Sequence, residues 1–341
     1  MRLRRSDTTL DGYARRRRGR GFSYHDAAGR TLDDPDELAR VRSLVIPPAW
    51  RDVWICRDPY GHIQATGVDA AGRRQYLYHE VWRAQRDAEK FDHVLEIAAA
   101  LPRLRRRVAG DLAGEDLTRA RVLATAARLL DLGAFRIGCE EYAAGDDATF
   151  GLATLRRDHV SCSTEEIVFS YPAKGGVDRL QTVADLPVLT VVRRLKRRRT
   201  GEQLLAYRDG RVWRELRSGD INDYLREASG EPITAKDFRT WHATNLTAVG
   251  LAVARPARST YARKRVVTGV LREVAEFLGN TPAVARSSYV DPRVFDLYHD
   301  GITIDVPPTG RANELADLHG HRGFERQVLA LLRDEEPVRA A

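Results

Sequence analysis

The sequence predicts an α+β protein, with a small β-rich N-terminal domain followed by a larger, mainly α-helical domain that contains a small β-sheet. Short alternating apolar stretches between turn signals occupy residues 45–80, which is the pattern of half-buried strands. After residue 79, apolar residues recur mainly at helical spacing. The length of 341 residues also exceeds that of one ordinary small domain and favours two domains.

The N-terminal part divides into two segments by composition. Residues 1–30 are polar and carry an arginine run at 15–18, which predicts a basic arm that is either solvated and disordered, the favoured interpretation, or in contact with phosphates. Residues 31–88 are predicted to form the β-rich domain, because turn signals at 58–61 and 71–72 separate its alternating stretches like the loops of hairpins.

Residues 89–341 are predicted to form the mainly helical domain. Residues 117–132 have helical spacing and stop at Gly133, a common way for a helix to end. Strands are predicted at 149–155, 167–171 and 180–183, with a turn at 172–176. Further helices are predicted at 188–196, 221–227, 235–253, 261–278 and 324–332. Thr281 as N-cap and Pro282 in the first turn predict a short helix that carries Tyr289.

Composition limits the classes of partner, cofactor and cellular location to be expected. The formal net charge of +8 favours a polyanionic partner, because the release of counterions from phosphates drives binding. Cys56, Cys139 and Cys162 have neither zinc-site spacing nor a disulfide framework, and no carboxylate cluster suggests magnesium, so no metal or other cofactor is expected. No apolar run approaches the roughly 20 residues of a membrane span, and the basic start lacks the apolar stretch of a secretory signal. A cytoplasmic, nucleoid-associated protein with no membrane contact is therefore expected.

Five polar residues in four short segments are the candidates for chemistry. Arg136 lies where a helix gives way to a turn, and Lys174 lies in the glycine-rich turn between two predicted strands. Arg239 lies near the start of a long predicted helix, and Asn280 just precedes the short helix that carries Tyr289. Taken singly, each residue is typical of a salt bridge, a solvated turn or a packed aromatic. Their joint order favours phosphodiester chemistry, because arginine forks match phosphate oxygens and a phenol can act as the nucleophile.

In this order and these contexts, the four segments resemble the active site of type IB topoisomerases, specifically the compact poxvirus-like branch that is also found in bacteria. The segment 75–78 resembles the DNA-contacting segment of that family's N-terminal domain, and 151–155 resembles the loop after the first catalytic arginine. The resemblance covers most of the chain and implies a C-shaped clamp of two lobes around duplex DNA, acting as a monomer. The DNA-binding residues that it implies are Gln75, Tyr76, Tyr78 and Lys236.

The resemblance also implies a role for each candidate. Tyr289 attacks the scissile phosphate and forms a 3′-phosphotyrosyl bond, which leaves a free 5′-hydroxyl. Arg136 and Arg239 hold the non-bridging oxygens, and Lys174 protonates the departing 5′-oxygen. The free strand rotates, supercoils relax, and the 5′-hydroxyl attacks back, so that neither ATP nor a metal is required.

One position departs from the family pattern, and two other functions stay open. The family more often has histidine where Asn280 stands, so a proton-transfer role there is in doubt, whereas stabilisation of a phosphate oxygen is not. A tyrosine recombinase would ordinarily have a histidine three residues before the second arginine, where this chain has Lys236. A non-catalytic DNA-binding protein would not need Tyr289, Lys174 and the arginine pair together.

Overall fold

The computed structural model describes residues 2–145, 147–254, 259–306 and 322–334. The chain divides into two compact units, Met1–Phe91 and Asp92–Ala341. The first unit contains a five-stranded antiparallel sheet with the strand order β2-β1-β3-β4-β5. Its elements are β1 (Tyr13–Arg18), β2 (Gly21–His25), α1 (Pro35–Ser43), β3 (Arg51–Ile55), β4 (Ile63–Val68) and β5 (Arg74–Tyr78).

The structure corrects the prediction of a separate basic arm over residues 1–30, because β1 and β2 form a hairpin of this sheet. Tyr13 and Tyr24 are buried in the core of the first unit. Arg15 stacks over the Phe22 ring at 4.2 Å and donates hydrogen bonds to three backbone carbonyls of the segment 46–50. The arginine run therefore belongs to a strand. Its inward-facing position is occupied by Arg15 instead of an apolar residue, so the sequence lacks the alternation expected of a strand.

The second unit is mainly helical, and a single large apolar core runs through it. The division between the units falls inside α2 (Glu80–Leu112). The other helices are α3 (Arg119–Leu132), α4 (Leu186–Lys196), α5 (Ser218–Ser229), α6 (Ala235–Val253), α7 (Thr260–Leu278), α8 (Pro282–Ser288), α9 (Arg293–His299) and α10 (Arg322–Leu332). The strands are β6 (Val160–Cys162), β7 (Ile167–Ala173) and β8 (Val177–Val183) in one antiparallel sheet, and β9 (Ala206–Asp209) and β10 (Val212–Glu215) in a separate hairpin.

Local signals fix where the helices of the site begin and end. Asp237 accepts hydrogen bonds from the backbone N–H and hydroxyl of Thr234, a capping box that starts α6 at Ala235. Gly279 ends α7 in the left-handed conformation with φ +63°, which glycine adopts without strain. Thr281 then caps α8 by accepting from the N–H of Val284. These boundaries place Arg239, Asn280 and Tyr289 near helix ends.

The predicted strand at 149–155 is wrong, because a short 3₁₀ helix, Leu152–Thr154, occupies this segment. The N–H of Leu152 donates to the carbonyl of Arg136 at 2.8 Å. A Cβ at Gly151 would lie 2.4 Å from the backbone nitrogen of Gly138. The segment thus packs its backbone directly against the Arg136 loop, a long-range contact that overrides the local strand pattern.

In the described ranges, none of the helices combines the length and the apolar character that crossing a membrane requires.

Candidate active site

A cleft of about 650 Å³ in the second unit brings together four of the five predicted catalytic residues, Arg136, Lys174, Asn280 and Tyr289. The fifth, Arg239, lies beside it: its guanidinium carbon is 5.2 Å from the centre of the Tyr289 ring. Four stretches of the second unit therefore meet at one place: the loop after α3, the β7–β8 turn, the start of α6 and the segment from the end of α7 to Tyr289. Among the described residues, no group of three or more His, Cys, Asp or Glu is arranged to hold a metal ion.

Arg136 follows α3 and is held by the residues that precede α8. Phe135 beside it is fully buried and anchors the loop in the core. The Nη2 of Arg136 donates to the carbonyl of Gly279 at 2.9 Å and to Oδ1 of Asn280 at 2.5 Å. Because the Oδ1 of Asn280 accepts from Arg136, the amide nitrogen is the group left to bind a ligand. In the described part of the chain, this buried Nδ2 has no partner. The pair thus presents N–H donors rather than acceptors.

Arg239 is only 3% exposed. It donates to the carbonyl of Ala134 and, through Nη2 at 2.9 Å, to the carbonyl of Leu278. Burial, followed by the charge of Arg136, lowers the pKa of Arg239 to about 10, so the guanidinium stays charged at neutral pH. Its buried Nε has no partner among the described residues.

Tyr289 is the C-cap of α8 and is partly buried. Its N–H donates to the carbonyl of Ala285 at 3.0 Å, which fixes the backbone. Burial raises the pKa of the Tyr289 phenol, but the charge of Arg239 and its contact with the phenol, followed by the charges of Arg136 and Lys236, outweigh burial and lower the pKa overall. A lowered pKa makes more of the phenolate, the form in which tyrosine is a good nucleophile.

Lys174 has the opposite setting, at the exposed tip of the β7–β8 hairpin. Gly175 and Gly176 follow it with φ of +92° and +70°, values that disfavour other residues. Ala173, which pairs with Val177 to close the turn, is buried in the core. The hairpin is therefore anchored at its base while the lysine extends along the cleft.

The predicted DNA-binding residues lie in both units. Lys236 is exposed in the first turn of α6. Tyr76 and Tyr78 are exposed on one face of β5, with ring centres 6.1 Å apart and nearly parallel rings. Gln75 lies on the other face of β5 and its Nε2 donates to Asp69 at 2.9 Å. The tyrosines thus form an exposed aromatic pair, whereas Gln75 supports a turn of its own domain.

Sequence reasoning missed one residue of the cleft, Arg179 on β8. This arginine stands alone between Asp178 and Leu180, so no motif singles it out. Burial lowers its pKa, and the nearby charge of Arg136 adds to this effect. In the part of the chain that the structure describes, no salt bridge joins Arg136, Arg179 or Arg239 to a carboxylate. Three arginines around one cleft, with no salt bridge to a described residue, favour an anionic ligand.

Comparison with known proteins agrees with this chemistry. Residues 79–302 match the family model for the catalytic core of eukaryotic DNA topoisomerase I, and residues 21–69 match that for the N-terminal domain of bacterial DNA topoisomerase IB. The chain is similar to DNA topoisomerase 1B of Acanthamoeba polyphaga mimivirus, with 28% identity over 300 residues that cover 85% of this chain and 88% of the relative. It is also similar to DNA topoisomerase I of Monkeypox virus, with 22% identity over 306 residues, 84% of this chain and 90% of the relative.

Proposed function

As this chain belongs to the type IB DNA topoisomerase family, and is thus an isomerase that changes DNA topology, we propose that it relaxes supercoils by transient cleavage of one strand through Tyr289. The observation that carries this proposal is the Arg239 guanidinium 5.2 Å from the Tyr289 ring, in a site where the pKa of the phenol is lowered. A nucleophile and the charge that stabilises its transition state are thus adjacent.

In the cleavage step, Tyr289 loses its phenol proton to solvent, the phenolate oxygen attacks phosphorus, and the bond from phosphorus to the 5′-oxygen breaks. The product is a 3′-phosphotyrosyl link, and Lys174 supplies the proton that makes the leaving oxygen a hydroxyl. A hairpin tip suits this role, because the lysine can approach the leaving oxygen from outside the buried part of the site.

The non-bridging oxygens are assigned to donors that the protein leaves unused. The Nε of Arg239 and the Nδ2 of Asn280 are buried donors without partners among the described residues, and such donors are costly unless a ligand engages them. Arg136 orients Asn280 through its Oδ1 and adds positive charge. Asn280 therefore stabilises an oxygen by hydrogen bonding and transfers no proton, since an amide does not titrate in this range.

After cleavage, the strand with the free 5′-hydroxyl rotates about the intact strand, and the hydroxyl then attacks the phosphotyrosine to reseal the DNA. The covalent link conserves the bond energy, so the proposed cycle needs neither ATP nor metal. Duplex DNA is the partner of a single chain, with Lys236, Tyr76 and Tyr78 as contacts at exposed positions. Gln75 is proposed to contribute mainly by supporting its turn, as its amide is already engaged.

Plasmid relaxation in EDTA without ATP tests the function. The wild-type protein is expected to relax supercoiled plasmid, and Tyr289→Phe is expected to bind DNA but leave it supercoiled. Tyr261→Phe, at an exposed tyrosine of α7, is the matched control and should relax DNA normally. Full relaxation by Tyr289→Phe would refute the proposal. Strand exchange between duplexes without relaxation would favour a recombinase, and binding with no cleavage at all would favour a non-catalytic DNA-binding protein.

A further inference from the structure

At the C-terminal end of α7, three arginines donate hydrogen bonds to four consecutive backbone carbonyls. Arg179 donates through Nη1 to Glu276 at 2.9 Å and through Nη2 to Phe277. The next carbonyls accept in turn: Arg239 binds that of Leu278 and Arg136 binds that of Gly279. The last carbonyls of a helix lack partners inside it and carry partial negative charge, so they can hold like-charged guanidinium groups side by side.

Of the three arginines, only Arg179 lies on a β-strand. It lies on β8, opposite Tyr171, two residue pairs away from the Ala173–Val177 pair that closes the Lys174 turn. A paired hairpin this short transmits a displacement of its base to its tip, because the ladder fixes the register of both strands. The contact of Arg179 with α7 therefore ties the Lys174 hairpin directly to the helix end that precedes Asn280, in addition to the burial of Ala173 in the core.

Gly279, the residue after α7, leaves room for the Arg179 guanidinium because it has no side chain. A Cβ at Gly279 would lie 2.9 Å from Nη1 of Arg179, so any other residue would push the guanidinium away from the carbonyls. Arg179 is also half-buried, and burial lowers its pKa. Both of its terminal nitrogens are occupied by backbone carbonyls, which is the arrangement of a fixed support rather than of a free ligand donor.

We propose that Arg179 is a positioning residue that holds the β7–β8 hairpin against the end of α7 and so places Lys174 at the leaving oxygen. This inference rests on the proposed role of Lys174 as the general acid. It assigns to Arg179 no contact with the reacting atoms. Its effect on the reaction is therefore expected to pass through the proton that Lys174 delivers.

Single-turnover cleavage of two substrates tests this role, one with the ordinary 5′-bridging oxygen and one with sulfur in its place. A thiolate leaves without protonation, so a defect in acid catalysis shrinks on the sulfur substrate. Arg179→Met should slow cleavage of the oxygen substrate by about 10–100-fold, as expected when a catalytic group is displaced by about 1 Å. The defect should largely disappear with sulfur. The double variant Arg179→Met/Lys174→Ala should be no slower than Lys174→Ala alone.

Two further variants make the result specific. Arg121→Met is the matched control, because Arg121 also donates to carbonyls near a helix end, those of Leu112 at 3.1 Å and Glu115, but lies outside the cleft. It should leave cleavage of both substrates at the wild-type rate. Arg179→Lys retains the charge and can reach one carbonyl, so it should show a smaller defect with the same sulfur rescue, which keeps the test decisive should Arg179→Met not fold.

Each outcome has a definite meaning. Equal slowing of both substrates by Arg179→Met, or rate defects that multiply in the double variant, would overturn the positioning role while Lys174→Ala still shows rescue by sulfur. If Lys174→Ala itself is not rescued by sulfur, the acid role fails, and the inference about Arg179 fails with it. Rescue of both single variants, with no added defect in the double variant, supports the inference.

Discussion

Arg239 and Lys174 lie at the cleft that contains Tyr289, but in opposite settings. Arg239 is 3% exposed and both of its terminal nitrogens bind backbone carbonyls, so its position is set by the core of the second unit. Lys174 is exposed at a turn whose two glycines have no neighbour within 4 Å of a Cβ built on them. One cation is thus fixed before DNA arrives, and the other stands in open space at a hairpin tip.

This difference matches what the two proposed roles need. Groups that stabilise charge in a transition state work best when they are preorganised, because they need no rearrangement as charge develops. A general acid must instead reach the leaving oxygen of a bound strand, which an exposed tip allows. The comparison therefore predicts that removing each cation affects folding and chemistry in different proportions.

Lys174→Ala gives the largest expected effect on chemistry and the smallest on folding. Cleavage of an ordinary phosphodiester should slow by about 10²–10⁴-fold, the usual contribution of a general acid. Sulfur at the bridging position should restore most of the rate, and the midpoint of thermal unfolding should not change. Two results would contradict the contrast between Lys174 and Arg239. One is a clearly lower unfolding temperature of the variant; the other is a cleavage rate close to wild type with both substrates, as expected for a merely solvated turn residue.

Arg239→Ala should damage both chemistry and folding. Loss of one preorganised donor costs roughly 10²–10³-fold in rate, and sulfur in the bridge should not restore it. Loss of hydrogen bonds to a charged donor destabilises by about 1.5–3 kcal/mol each, so thermal unfolding should occur at a lower temperature. Arg136→Ala, at a partly exposed position, is the comparison variant: a similar rate loss with a smaller loss of stability is expected. Strong sulfur rescue of Arg239→Ala would contradict its assignment.

The smallest expected effect is on the pH dependence of cleavage. It tests whether the positive charges around Tyr289 lower the pKa of its phenol. The cleavage rate of the bound complex should rise with pH as Tyr289 loses its proton, and should level off below the ordinary phenol pKa because the net effect of its surroundings lowers that pKa. Lys236→Gln removes one lowering charge, so the rising limb should move to higher pH. Replacing Arg239 by Gln should move it further, since Arg239 is the largest lowering influence. A shift to lower pH in either variant would contradict this account.

The predicted fold was correct at helices whose ends are set by local signals. The helix predicted at 235–253 matches α6, and the one predicted at 261–278 matches α7 to within one residue, because caps and left-handed glycines act on neighbouring residues. The strand predicted at 149–155 was wrong because the contact of Gly151 with Gly138 is made between distant parts of the chain. The β9–β10 hairpin was not predicted at all.

In the site too, features set by neighbouring residues were predictable, whereas features set by contacts between distant parts of the chain were not. Arg136, Lys174, Asn280 and Tyr289 were chosen by their order along the chain, and the cleft that joins them is visible only in the fold. Arg179 could not have been found in this way, since its role depends on carbonyls about 100 residues away at Glu276 and Phe277. The direction of the Gln75 side chain was also out of reach, because it depends on which face of β5 meets the Asp69 turn.

Trapping the covalent intermediate tests the central claim most directly. The protein would be mixed with plasmid in EDTA, stopped with detergent, and digested with nuclease and trypsin before mass spectrometry. The account predicts a nucleotide joined through its 3′-phosphate to the tryptic peptide that spans residues 287–293, with the modification on Tyr289. An adduct on another residue, a link through a 5′-phosphate, or relaxation with no covalent adduct would contradict it.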